Sequence, residues 1–234
     1  MGCDIHLLVE KKIDGKWQAV KGVNEPEIEE CKGYIEKCKE RGQSAAYSER
    51  RLEELRQGTY DYLYEGRHYL LFEVLAGVRA GHDLVPVAVP KGLPEDISPE
   101  AKESTEGWGA DGHSHSWLTA GELNAYNWDQ TITREGWVGV EQFKRFLEVG
   151  EPYSWSRGVG GGMVQHITNQ EMKERIRDNY WFPLENSNYY YTLINWNKNL
   201  RDALGTFCSW SIPKLAELAG DDPESARIVF WFDN

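Results

Sequence analysis

The densest group of reactive side chains in the sequence is His113-Ser114-His115-Ser116. In extended backbone alternate residues project to one side, so both imidazoles would face the same way and two nitrogens could reach one metal ion. Asp111 stands two residues upstream, and Asp4 and His6 offer further donors from the other end of the chain. The set Asp4, His6, Asp111, His113 and His115 would suit zinc or manganese and a metal-dependent hydrolysis of phosphoester or glycosidic bonds. No HxHxDH, HExxH or HD-type signature completes it, and His82-Asp83 is an isolated pair after Gly81. Position suggests a second chemistry. Thr119 and Glu122 have capping-box spacing, which predicts a helix starting at Thr119 with the histidines just before it. Unsatisfied N–H groups and the dipole make such a start a site for anions. The Ser114 and Ser116 hydroxyls, His113, His115 and the Trp117 indole would then meet the phosphate and base of a nucleotide. The same residues equally describe a capped helix whose histidines bond only to backbone.

A second candidate is the run Trp155-Ser156-Arg157-Gly158-Val159-Gly160-Gly161-Gly162. Glycines let backbone N–H groups close around an anion, Trp155 offers a stacking face and Arg157 a phosphate partner. The Lys-Ser/Thr of a Walker A loop is missing, so a hinge or lid reads the segment as well. Nucleophilic chemistry has less support. Cys3 would need His113 or His115 as its base, since Cys3 and His6 fall on opposite faces of a strand, and a buried thiol is the better reading. The four cysteines contain no CxxC pair. Cys31 and Cys38, one heptad apart, read as two buried thiols on a helix stripe.

These residues need elements to position them. CDIHLLVEKK-IDGKWQAVKG reads as a β-hairpin turning at Asp14-Gly15, with Ile5, Leu7 and Val9 on one face and Asp4 and His6 on the other. Residues 26–57, with Ile28, Cys31, Ile35 and Cys38 at helical spacing, Gly42 as a break, then Leu52 and Leu55, predict a helical hairpin inserted on the sheet. Further helices are expected over Arg67–Ala80, Val140–Val149 and Asn169–Arg177, with another short one from Ser211. The stretch from Leu84 to Gly112 reads as a long irregular loop, of the kind that is functional or partly mobile. Strands are expected over 189–196 and in the closing RIVFWFDN. The fold class is α+β: a small, mostly antiparallel sheet covered by helices, in a single domain over 1–234.

Composition sets outer limits. Among 234 residues, 26 Lys and Arg face 38 Asp and Glu, a net charge of −12 that repels duplex nucleic acid at long range. The 40% hydrophobic content suffices for a core without disulfides. The longest apolar stretch, around Leu70–Val78, is interrupted by Glu73, so no membrane span is expected, and MGCDIHLLVEKK lacks a basic leader. A cytoplasmic protein is the expectation. Ten Trp and twelve Tyr exceed what packing alone asks for and offer flat faces for rings.

The opening MGCDIH, the internal WGADGHSHSWLT and the closing RIVFWFDN together resemble an uncharacterised family met mainly in phage and prophage genomes. The resemblance implies a setting, an infected or lysogenic bacterium, where small accessory proteins often act against host defence. The leading expectation is a binding protein that sequesters a nucleotide or nucleotide-like signal through His6, His113, Ser114, His115, Trp117, Trp155, Arg157, Gly160 and Gly161, with no cofactor. A homo-oligomer would suit a ligand enclosed between subunits. The rivals are the metal-dependent hydrolase above and an inhibitor that docks on a host protein.

Overall fold

The structure, a computed structural model, describes residues 2–178 and 189–233; Met1 and Asn234, which end two of the segments quoted above, lie outside it. In chain order its strands are β1 (Ile5–Ile13), β2 (Lys16–Ala19), β3 (His113–Thr119), β4 (Thr131–Val138), β5 (Val164–His166), β6 (Tyr189–Asn199) and β7 (Ala226–Phe232). Its helices are α1 (Glu25–Glu40), α2 (Ala46–Gln57), α3 (Tyr69–Ala76), α4 (Pro99–Trp108), α5 (Ala120–Ala125), α6 (Val140–Val149), α7 (Asn169–Arg177), α8 (Leu200–Leu204) and α9 (Ile212–Ala219). The fold is α+β, with mostly antiparallel sheets accompanied by helices. Where the sequence reads as one domain, the chain divides into two compact units: residues to Trp128 with those from Leu204 onward, and Asp129–Ala203. No helix among the described residues is long and apolar enough to cross a membrane.

The first unit is built on a sheet of order β2-β1-β7-β3, antiparallel throughout. Asp14 (φ 50°) and Gly15 (φ 76°) close the β1–β2 hairpin with positive φ at both central positions, as a two-residue hairpin turn requires. All seven residues of β7 are buried. It runs between β1 and β3 with both faces covered, which is why its sequence is apolar almost throughout. One face carries Ile5, Leu7, Val9, Ile228, Phe230 and Phe232, and Phe232 meets Phe72 of α3 with ring centroids 5.0 Å apart. The other carries His6, Leu8 and Glu10 opposite Trp231, Val229 and Arg227. There Leu8 and Trp231 pack with Ala101 of α4.

Glu10 and Arg227 face each other in register and are both buried, with Nε 2.6 Å from Oε2. Arg227 lies 3.9 Å from the Trp17 ring centroid and also bonds Asp96, while Glu10 accepts the Ser98 N–H. A buried ion pair stands only when its remaining hydrogen-bonding capacity is answered, and here the segment before α4 answers it.

That segment departs from the irregular loop expected over Leu84–Gly112. Ser98 caps α4 through the Ala101 N–H and Pro99 occupies its first turn. The rest is pinned: the buried Glu73 carboxylate accepts N–H groups of Gly81, His82 and Leu84, and Gly92 N–H bonds the His115 carbonyl. Helix α3 is shorter than the predicted Arg67–Ala80 because His68 Nδ1 caps its start and Gly77, in αL at φ 68°, ends it. The hairpin of 26–57 forms as α1 and α2, with Gly42 at φ 65° between them. Cys38 is buried as expected, but Cys31 is only half-buried.

The second unit holds a sheet of order β4-β6-β5. β4 and β6 pair antiparallel from Thr131↔Asn199 to Val138↔Thr192, and β5 runs parallel to β6. Its own core joins Val138, Phe143, Met172, Ile194 and Trp196.

Candidate functional site

The face of the first sheet that carries His6 ends in a row of rings contributed by three neighbouring strands. His6 of β1 stacks against Trp231 of β7 (centroids 5.6 Å apart, 27°), and His115 of β3 stacks against the same indole (6.2 Å, 19°). Trp108, the last residue of α4, closes on His6 with centroids 3.9 Å apart. Gly112 fits between, its α-carbon so close that a Cβ would lie 3.2 Å from the Trp108 Cβ and 3.5 Å from the His115 ring. Trp231 is fully buried, and among the described residues its Nε1–H has no hydrogen-bond partner. Buried donors are nearly always satisfied, so this one marks the row as unusual.

An anchoring network borders the row. Asp233 places Oδ2 3.3 Å from His6 Nε2 and accepts the Asp4 N–H on Oδ1 at 2.6 Å. Asp4 in turn receives Arg67 on both carboxylate oxygens, at 2.7 and 2.6 Å. The Arg67 hydrogen bond holds the Asp4 carboxyl below the usual carboxylate range. His115 also lies below its ordinary value, because burial disfavours its charged form and His113 adds to the effect. Neutral imidazole, with one donor and one acceptor, is therefore the form His115 presents at neutral pH.

The histidine pair does not lie as expected. Ser114 adopts φ 52°, and the β3–β7 register slips between His113↔Phe232 and Ser116↔Phe230. This bulge sends His113 to the Phe232 side (centroids 6.0 Å apart) while His115 stays on the Trp231 side. His113 Nε2 lies 3.3 Å from the Asp233 carbonyl oxygen and its Nδ1 3.0 Å from Ser114 Oγ. His6 and His115 stand on strands separated by β7, and each ring stacks against the Trp231 indole of that middle strand, so the two do not converge on one ion. Asp4 is committed to Arg67, and Asp111 is exposed in the turn after α4. Among the described residues no three His, Cys, Asp or Glu side chains come together as a metal ion requires. The metal set of five is thus not assembled.

The anion reading of the helix start is also corrected. The capping box of Thr119 and Glu122 is present, so the start of α5 carries its own carboxylate, and Glu224 bonds the Thr119 hydroxyl. The histidines lie at the far end of β3 from it. Trp117 is on the face of His115 but belongs to another cluster: the Lys91 ammonium sits 4.0 Å from its centroid and the Arg227 guanidinium 5.5 Å.

Trp155, Arg157, Gly160 and Gly161 belong to the second unit. Trp155 packs on the core there and lies so flat on Gly136 that a Cβ would come within 2.6 Å of its ring. Ser156 exchanges backbone hydrogen bonds with Trp137, and Val164 N–H bonds the Gly161 carbonyl, closing the glycine run as a turn into β5. His166 braces it with Nε2 2.9 Å from the Val159 carbonyl oxygen. Of the nine expected ligand residues the structure brings His6 and His115 onto one indole, while His113 turns to the Phe232 side of the sheet. Trp108, Trp231, Asp233 and Arg67 were not anticipated. No family model, no curated protein and no solved structure matches the chain.

Proposed function

We propose that this chain is a binding protein that takes up a nucleotide-like small molecule at the ring row and withholds it, without a chemical step. The observation that carries the reading is the buried Trp231 Nε1–H, which lacks an acceptor among the described residues, in a ring flanked by two imidazoles. Leaving a buried donor unanswered costs about 1–3 kcal/mol. A nucleobase carries ring-nitrogen and carbonyl acceptors at the edge of a stacking surface, and so meets both demands of the row at once. Trp108, 36% exposed and followed by Gly109 at φ 51°, covers His6 and is the ring that shifts to admit the base. Arg67 is already paired with Asp4, so a phosphate would have to exchange with that carboxylate, and recognition falls mainly on the base. In the phage setting that the resemblance implies, the withheld ligand is a host signal nucleotide, held in the bacterial cytoplasm.

A native mass spectrum of freshly purified protein tests this. The expected result is an added mass in the nucleotide range that disappears in His6→Ala and Trp108→Ala while their far-UV circular dichroism is unchanged. A bare chain whose tryptophan fluorescence no mono-, di- or cyclic nucleotide quenches would overturn it. So would a zinc- or manganese-sized increment, which would favour the rival hydrolase instead.

A further inference from the structure

The bulge that parts His113 from His115 brings a different pair together. Between His113↔Phe232 and Ser116↔Phe230, β7 supplies only Trp231 opposite Ser114 and His115, so β3 carries one residue more than its partner. Ser114 adopts φ 52° there, a conformation that is uncommon for residues other than glycine and concentrates at functional sites. Its Oγ lies 3.0 Å from His113 Nδ1, and His113 Nε2 lies 3.3 Å from the Asp233 carbonyl oxygen. A carbonyl can only accept, so the neutral ring carries its proton on Nε2 and donates it there. Nδ1 is then an acceptor, and the Ser114 O–H donates to it. A hydroxyl, a base and a group that orients the base therefore stand in sequence, the arrangement that activates a nucleophile. Both side chains are half-buried on the edge strand of the sheet, and His113 faces the Phe232 side, away from the ring row.

We propose that Ser114 is a nucleophile, with His113 as its general base, in the cleavage of an uncharged acyl ester. Ser114 Oγ bonds to the ester carbonyl carbon while its proton passes to His113 Nδ1. The bond from that carbon to the alcohol oxygen then breaks, and the alcohol departs with the proton from Nδ1. Water attacks the acyl-serine in the same way, giving its proton to Nδ1. The acyl group leaves as the carboxylic acid, and Ser114 Oγ recovers its proton. Nothing is oxidised or reduced, and water is the second substrate. Local charge favours this substrate over a phosphoester. Asp4 and Asp233 set two carboxylates at this end of the sheet against one guanidinium, and Arg67 is held by both oxygens of Asp4. An incoming phosphate would meet net negative charge there. The activity is independent of ligand retention at the ring row, which uses the Trp231 face.

The whole chain incubated with p-nitrophenyl acetate, and followed by nitrophenolate release, intact mass and peptide mapping, tests the assignment. The expected result is a single acetyl group, mapped to Ser114, formed as nitrophenolate is released. Ser114→Gly suits the positive φ and so keeps the fold, and it should lose the label altogether. His113→Gln leaves the hydroxyl in place and should slow its acetylation at least about a hundredfold, the share a general base supplies. Far-UV circular dichroism of both variants should match the native protein. Acetyl groups found only on lysines or histidines would overturn the proposal. So would native-rate nitrophenolate release in Ser114→Gly, or native-rate labelling of Ser114 in a folded His113→Gln.

Discussion

His115 shows how one side chain can report on the site. Burial first, and the neighbouring His113 second, favour its neutral form in the folded chain. A histidine depressed in this way contributes its full stability above its unfolded value, about 6.5. That stability is lost as the pH falls from there through the lower folded value, because the unfolded chain then binds the proton more readily. Urea midpoints measured from pH 7.5 to 5 should therefore decline in the native protein and decline less in His115→Gln. Parallel slopes for the two would refute the role of His115. The residue types at this site were legible: His6, His113 and His115 stood out from the sequence alone. Their facing was not, because a single positive φ at Ser114 turns His113 to the other side of the sheet.

Among the elements, β7 and the segment preceding α4 carry the most consequence. β7 brings Arg227 opposite Glu10, and the segment 96–98 completes the pair with Asp96 and Ser98. Removing one partner leaves a buried charge, so Arg227→Met should cost about 3–5 kcal/mol in denaturant unfolding at pH 7. Glu10→Met added to it should recover most of that loss; a double variant as unstable as the single one would contradict this account. Helices with clear punctuation were readable, including the Thr119–Glu122 capping box and α6 over its full length. Helix α4 was also signalled, by Ser98-Pro99-Glu100 in the order cap, first turn, acid, but the prolines upstream drew that whole stretch toward a loop reading. β4 was missed: Thr131–Val138 alternates only partly, and the long β6 ladder supplies the partner that makes it a strand.

At the scale of the molecule, each unit owns a hydrophobic core. The second is centred on Phe143, fully buried among Val138, Met172, Ile194 and Trp196. Truncating a buried Phe costs about 3–5 kcal/mol. Scanning calorimetry of Phe143→Ala should accordingly show one transition lowered and another left near its native temperature. A single transition that moves as a whole would mean the two cores unfold as one.

Composition, hydrophobic period and turn chemistry were local quantities, and they suffice for the α+β class, the N-terminal hairpin, the helical pair of 26–57 and the candidate chemistry of the histidines. Which side chains meet is decided by pairing between distant strands, and that depends on register. His6 and His115 share one indole only because β7 comes between β1 and β3 from the opposite end of the chain. The slip of one residue at Ser114 then parts His113 from His115. Alternation along a strand specifies which residues share a face, but a bulge breaks that rule at the one place where it mattered here.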